Sequence, residues 1–219
     1  MRNRASFRLT LIMFILLGAI LVLLAADLVT FSFTKLGLSL AAAVALLGFS
    51  LIGSVINIPI SRRKVIYEQP AQPSFPFALF YYIPPRVREQ VLAVNVGGAL
   101  VPTGFSIYLL LTRAPIWQTI VATIVVAVIA ILVARPRPGI GIVMPVLIPP
   151  LLAVALALLL ARHNAPPVAS VSGTMGTLIG ADLLNFPAIR RLGSHMVSIG
   201  GAGVFDGIFL VGIVAALLA

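Results

Sequence analysis

"SGTMGTLIGADLL", residues 172–184, decides how the rest of the chain is read. The stretch is apolar and small enough to lie among packed helices, yet it carries a carboxylate, Asp182. At 100° per residue, Ser170, Thr174, Thr177, Ala181 and Asn185 fall within one arc of about 80°, with Asp182 about 60° to one side of Asn185. Gly173, Gly176 and Gly180 occupy a separate arc of about 60°, roughly opposite Asp182. Gly176 and Gly180 form a GxxxG pair, which lets two helix backbones approach closely. Only Val168, Met175, Ile179 and Leu183 are left to face lipid. A helix with one polar and one glycine face has to be surrounded by other helices, so this segment is expected at the centre.

Working outward, 61% of the 219 residues are hydrophobic and 9% charged. A soluble domain averages about 25% charged, so this chain has too little polar surface to cover a water-facing globule. It reads as an integral membrane protein. Seven apolar segments follow, at 8–30, 36–60, 91–112, 115–134, 139–161, 166–186 and 197–219. The expected fold class is all-α: a polytopic transmembrane helical bundle of about seven spans. Proline and glycine strings such as "NVGGALVPTG" (95–104) and "GIGIVMPVLIPP" (139–150) predict broken helices, which in hydrocarbon must be buried in protein or line a wet cavity. The expected division is a two-helix membrane region at 1–60, a cytoplasmic Pro/aromatic/basic loop at 61–90, and a five-helix membrane core at 91–219.

The basic residues set the expected orientation. With the N-terminus inside, twelve lie in cytoplasmic segments: Arg2, Arg4 and Arg8; Arg62, Arg63, Lys64, Arg86 and Arg88; Arg135 and Arg137; Arg190 and Arg191. Three lie outside: Lys35, Arg113 and Arg162. That asymmetry follows the positive-inside rule and puts the C-terminus outside, in a multi-pass protein of the cell membrane. The apolar run of the first segment is longer than the roughly 7–15 residues of a cleavable signal, so it reads as an uncleaved anchor. Scattered singly and in pairs between spans, the basic residues give no nucleic-acid face despite a net charge of +10. Membrane lipids are the expected partners, through loop 61–90 above all, and self-association into a homo-oligomer stays open. The absence of cysteine excludes disulfides and thiolate metal sites. With only His163 and His195 besides, no metal site is expected. No phosphate loop is present either, and no cofactor is expected.

Four strings, "NVGGALVPTGFSIYLL" (95–110), "GIGIVMPVLIPP" (139–150), "PPVASVSGTMGTLIGADLLN" (166–185) and "SIGGAGVFDGIFLVGI" (198–213), give the chain a family likeness. Together they resemble a prokaryotic membrane protein family catalogued as domain of unknown function 1614, from about residue 95 to the C-terminus. The resemblance implies a polytopic membrane protein and carries no activity with it.

Function therefore turns on Asp182 and a second carboxylate, Asp206, in "VSIGGAGVFDGIFL" (197–210). A charged carboxylate at the bilayer centre costs about 2.5–3.5 kcal/mol on insertion scales. Counted at 1.5 Å per residue from the cytoplasmic ends of their helices, Asp182 lies about 6–7 Å deep and Asp206 about 14 Å deep. One reading is a carrier or channel-like protein, with Asp182, Asp206, Asn185, Thr174, Thr177 and Asn95 as substrate- or ion-binding residues near broken helices. In that reading segments two to four are inverted relative to five to seven. Another is an intramembrane aspartyl protease with Asp182 and Asp206 as a catalytic dyad, since "IGAD" and "FD" are similar to the motifs of presenilins and prepilin peptidases. Against it, Ala181 stands where that motif has glycine, the motif order is reversed, and no Pro-Ala-Leu string is present. A third is a non-catalytic scaffold, in which the carboxylates are hydrogen-bonded helix contacts. Whether the protein is an enzyme is left open by the sequence.

Overall fold

The computed structural model describes residues 16–18, 24, 26–67, 86–137, 141–191, 196–201 and 207–219. Helix α1, Ala26–Lys35, ends at Gly37, whose φ of +72° is left-handed. There the Leu38 amide donates to the Phe33 carbonyl and the Gly37 amide to the Thr34 carbonyl. This is a Schellman ending, with Leu38 and Phe33 in one apolar cluster as its hydrophobic contact. The chain turns through 114° into α2, Leu40–Ser54, whose first turn is capped by the Ser39 hydroxyl accepting from the Ala42 amide.

Strand β1, Asn57–Tyr67, follows and pairs antiparallel with β2, Arg86–Asn95. The described ends of segment 61–90 are therefore strand rather than loop, and the chain, mostly helical as expected, carries two small sheets besides. The segment's many prolines disfavour helix, as expected, but they cluster between the two strands. The strands themselves are rich in β-formers, Val65, Ile66 and Tyr67 in β1 and Val87, Val91 and Val94 in β2. Segment 91–112 is likewise divided. Its first residues finish β2, and only after Asn95 does the chain coil, through a π-helical turn, Val96–Leu100, into α3, Val101–Thr112.

Helix α4, Ile116–Val133, leads to a short hairpin, β3 at Arg135–Arg137 with β4 at Gly141–Val143. Helix α5, Ile148–Leu160, begins with Pro149 and Pro150, where the missing amides cost nothing. The "GIGIVMPVLIPP" string thus marks a helix start rather than a break inside one. A 3₁₀ turn, Arg162–Asn164, precedes α6, Ala165–Thr177, which runs into a second π-helical turn, Leu178–Leu183. The short α7, Phe186–Arg191, then leads to β5, Met196–Ile199, and α8, Gly207–Leu218, completes the chain. Strand β5 lies parallel to β2, giving the order β1-β2-β5.

Helix α6 is buried along almost its whole length. A Cβ at Gly176 would lie 2.6 Å from Val126 of α4, and one at Gly180 would strike the Ala127 carbonyl and Ala130. Gly173 faces Val211 and Ala215 of α8 and Ala153 of α5. Val168, expected against lipid, is instead fully buried among Ala122, Val126, Ala153 and Ala215. Helix α4 therefore belongs to the core as closely as α5 and α8 do. The first two segments also pack onto it, through Phe33, Leu36 and Ala43 against Leu109, Val171, Ile213 and Ala216.

Contacts gather the element ends into two groups. At one end Lys35 Nζ donates to the Leu217 carbonyl at 2.8 Å and Arg113 donates to the Gly37 carbonyl at 3.0 Å. At the other end lies the three-stranded sheet. Among the described residues one helix, Ile116–Val133, is by itself long and apolar enough to cross a membrane, and the bent pair α1–α2 passes the same test together. Large apolar side chains on the outer faces of α2, α3, α4 and α5 are exposed, among them Phe49, Leu111, Ile124, Leu132, Leu151 and Leu159.

Candidate functional site

Where the sheet meets the bundle, the backbone is irregular on three sides. Asn95 ends β2 fully buried and uses its amide in both senses. Its Nδ2 donates to the Ser54 carbonyl at 2.6 Å and to Asn57 Oδ1 at 3.2 Å, while its Oδ1 accepts from the Gly98 amide at 2.7 Å. Asn57 Oδ1 accepts a second bond, from Ser198 Oγ of β5 at 2.5 Å. The Ser50 hydroxyl donates to the Gly97 carbonyl at 2.8 Å. These bonds tie α2, β1, β2 and β5 to the first π-turn, and they satisfy its Gly98 amide and Gly97 carbonyl.

Asp182 stands in the second π-turn, half-buried, and its carboxylate accepts from the Gly200 amide at 2.7 Å. Gly200 and Gly201 have φ of +80° and +90°, a region open to glycine. A side chain at 200 would also meet Ala99 at 2.6 Å. The first π-turn, the second π-turn and the start of α8 meet through Ala99, Leu178 and Ile208, with Val94 and Ile199 beside them. The structure thus brings the surroundings of Asn95 and Asp182 to one junction. Single π-turns of this kind recur at functional sites.

Asn185, half-buried, donates from Nδ2 back to the Gly180 carbonyl at 3.3 Å. Thr174 lies further along α6, its hydroxyl filling the space that a side chain at Gly212 of α8 would need. Thr177 lies about 40° around α6 from Gly173 and about 60° from Thr174, both of which meet α8. Its hydroxyl is buried, with the residue 2% exposed, and has no hydrogen-bond partner. Asp206 immediately precedes α8 and lies outside the described residues. Among the described residues, no three His, Asp or Glu side chains come together in a way that could hold a metal ion.

Several residues at the junction carry no single-sequence signal. Asn57 and Ser198 bond across 141 positions, and nothing local marks either. Gly212 sits alone in an apolar run, with no second glycine at GxxxG spacing to flag it. The double glycine at 200–201 is a visible signal, since consecutive glycines after a β-branched residue mark a left-handed turn.

No curated protein and no solved structure matches the chain. One family model does, over residues 51–218, which include β1, both π-turns, Asp182 and α8. The chain therefore belongs to the family described as protein of unknown function (DUF1614).

Proposed function

We propose that the chain is a polytopic integral membrane protein of about seven spans that acts as a carrier or channel for a small polar solute or ion. Its N-terminus is cytoplasmic and its C-terminus outside. The polar face of α6, with Thr174 and Thr177, leads to the junction at Asp182, Asn185 and Asn95 at the cytoplasmic end. What supports membrane embedding is the inversion of the usual arrangement. Large apolar side chains cover the outside, while Ser170, Ser172, Thr174, Thr177 and Asn95 are inside. A water-soluble domain sorts them the other way. The orientation is supported by the grouping of ends, with Lys35 and Arg113 at one end and the basic strands β1, β2 and β3 at the other.

The observation that carries the transport reading is the Thr177 hydroxyl. An unmade buried hydrogen bond costs about 1–3 kcal/mol, and a water or an ion bound at the hydroxyl is one way such a group is satisfied in a native structure. Replacement by valine keeps the shape and removes the polar atom. Thr177→Val is expected to leave folding unchanged or slightly improved, while solute uptake in sealed proteoliposomes falls. Asp182→Asn keeps the acceptor for Gly200 and removes titration, so proton-driven uptake is expected to fall with it. Full uptake in both variants contradicts the proposal. Peptide cleavage in detergent, lost in Asp182→Asn, would replace it with the aspartyl protease reading.

A scaffold is the second reading, and the Asp182–Gly200 bond favours it, because that bond alone gives the carboxylate a structural task. Unchanged uptake with a lowered unfolding midpoint in Asp182→Ala would be its signature.

A further inference from the structure

We infer that the basic end of the bundle is a binding surface for the phosphate diesters of anionic lipids in the adjoining membrane leaflet. The inference rests on the membrane reading above but not on transport. Two separate segments change character in the same order. Exposed Val55, Ile56, Ile58 and Ile60 lead along β1 to exposed Arg62, and exposed Val128 and Leu132 of α4 lead to exposed Arg135 and Arg137. From Ile60 to Arg62 is two strand residues, about 7 Å. From Leu132 to Arg135 is at most about 10 Å. A headgroup layer is about 5–7 Å thick on each side of a hydrocarbon core of about 30 Å. Each segment therefore passes from strongly exposed apolar residues (Ile60 59%, Leu132 71%) to exposed arginine over a chain length of about one to one and a half headgroup layers.

Charge alone would suit a soluble acidic partner equally well. The apolar residues leading up to each arginine decide for lipid, which needs both in that order. The sheet sets the depth. Strand β1 is an edge strand, and an open edge with unpaired amides does not sit in hydrocarbon. Pro59 has no amide to leave unpaired, and a register shift between Pro59 and Ser61 interrupts the edge where it meets the exposed isoleucines. The ribbon therefore belongs at headgroup level. Register places Arg63 opposite Gln90, Arg88 opposite Val65 and Arg86 opposite Tyr67, so of the five basic residues on the two strands only Lys64 stands opposite an acid, Glu89. Among the described residues no carboxylate is hydrogen-bonded or ion-paired to Arg62, Arg135 or Arg137. A guanidinium fork matches phosphate oxygens in geometry as well as charge.

The test uses the full chain in nanodiscs of equimolar phosphatidylcholine and phosphatidylglycerol, released into detergent, with retained lipids counted by native mass spectrometry. Wild type is expected to retain phosphatidylglycerol preferentially, and the R62Q/R135Q/R137Q variant to lose at least about fivefold of that preference, the fold-change for one basic residue at an anionic surface. The R62K/R135K/R137K variant should keep most of it, and high salt should remove it from wild type. Equal retention of both lipids by wild type, a preference that survives high salt, or an unchanged preference in the glutamine variant overturns the inference. So does tighter binding of soluble polyglutamate, which would give the surface to an acidic protein instead. Quenching of Trp117, the one tryptophan of the chain, by bromolipids in the same discs tests the membrane reading separately. A quenched Trp117 with equal lipid retention sinks only this inference, whereas an unquenched Trp117 sinks the membrane reading.

Discussion

Along the α4–α6 seam, Gly176 and Gly180 let one helix lie directly on Thr123, Val126, Ala127 and Ala130 of the other, with no side-chain hydrogen bond between the two helices among those described. Gly180 already lies in the second π-turn, Leu178–Leu183, and at Asp182 of the same turn and at Asn95 across the junction the contacts become polar: Asn95 to Ser54, Asn57 and Gly98, Ser198 to Asn57, and Asp182 to Gly200. The seam is held by close approach and dispersion, which fix a helix rigidly and leave nothing to exchange with a solute. The junction is held by hydrogen bonds to unwound backbone, which a ligand or water can replace one for one. The difference teaches where motion and chemistry can be placed. In the proposed carrier the dry glycine seam would be the fixed axis and the polar junction beside it the part that opens.

That contrast can be broken most forcefully at the seam. Gly180→Leu drives a side chain into the Ala127 carbonyl, a backbone atom that cannot swing aside. The cost is expected at or above the upper end of the about 1–3 kcal/mol typical of overpacking, read as loss of monodisperse protein after extraction. Near-normal yield and unfolding midpoint would show that the seam is not tight. Asn95→Ala comes next. It strands the Ser54 carbonyl and the Gly98 amide in a fully buried place, and is expected to cost about 2–3 kcal/mol, read as a lowered midpoint of thermal unfolding. Asp182 sharpens the comparison with a smaller effect. Asp182→Ala removes the acceptor for Gly200 and is expected to cost about 1.5 kcal/mol, whereas Asp182→Asn keeps an acceptor oxygen and should cost less than half of that. Equal loss in the two variants would mean that charge, not the Gly200 bond, is what the site requires.

The glycine face of α6 is legible in sequence because GxxxG spacing is a statement about one helix surface, and Gly176 and Gly180 do meet a neighbour on it. Which helix that is cannot be read. Helix α4 is apolar all round, so its sequence has no face to point with, and its place in the core comes only from packing. The sheet is hidden for a related reason. In a chain this apolar, the period-2 signal of β2 merges with the hydrophobic run of α3, and only Asn95 marks the change. The polar junction is the least legible part, because its partners Asn57, Asn95 and Ser198 come from strands far apart in sequence, brought together by the antiparallel pairing of β1 with β2 and the parallel pairing of β2 with β5.

The central claim is that the two ends of the bundle lie on opposite sides of a membrane, with the junction and the basic strands inside. The chain has no cysteine, so single-cysteine variants give one labelling site each. Arg162 and Arg137 are both exposed, one in the turn before α6 and the other in the β3–β4 hairpin. In right-side-out vesicles a membrane-impermeant maleimide is expected to label Arg162→Cys at once and Arg137→Cys only after permeabilisation. Labelling of both from the outside, or of Arg137→Cys alone, would contradict the account.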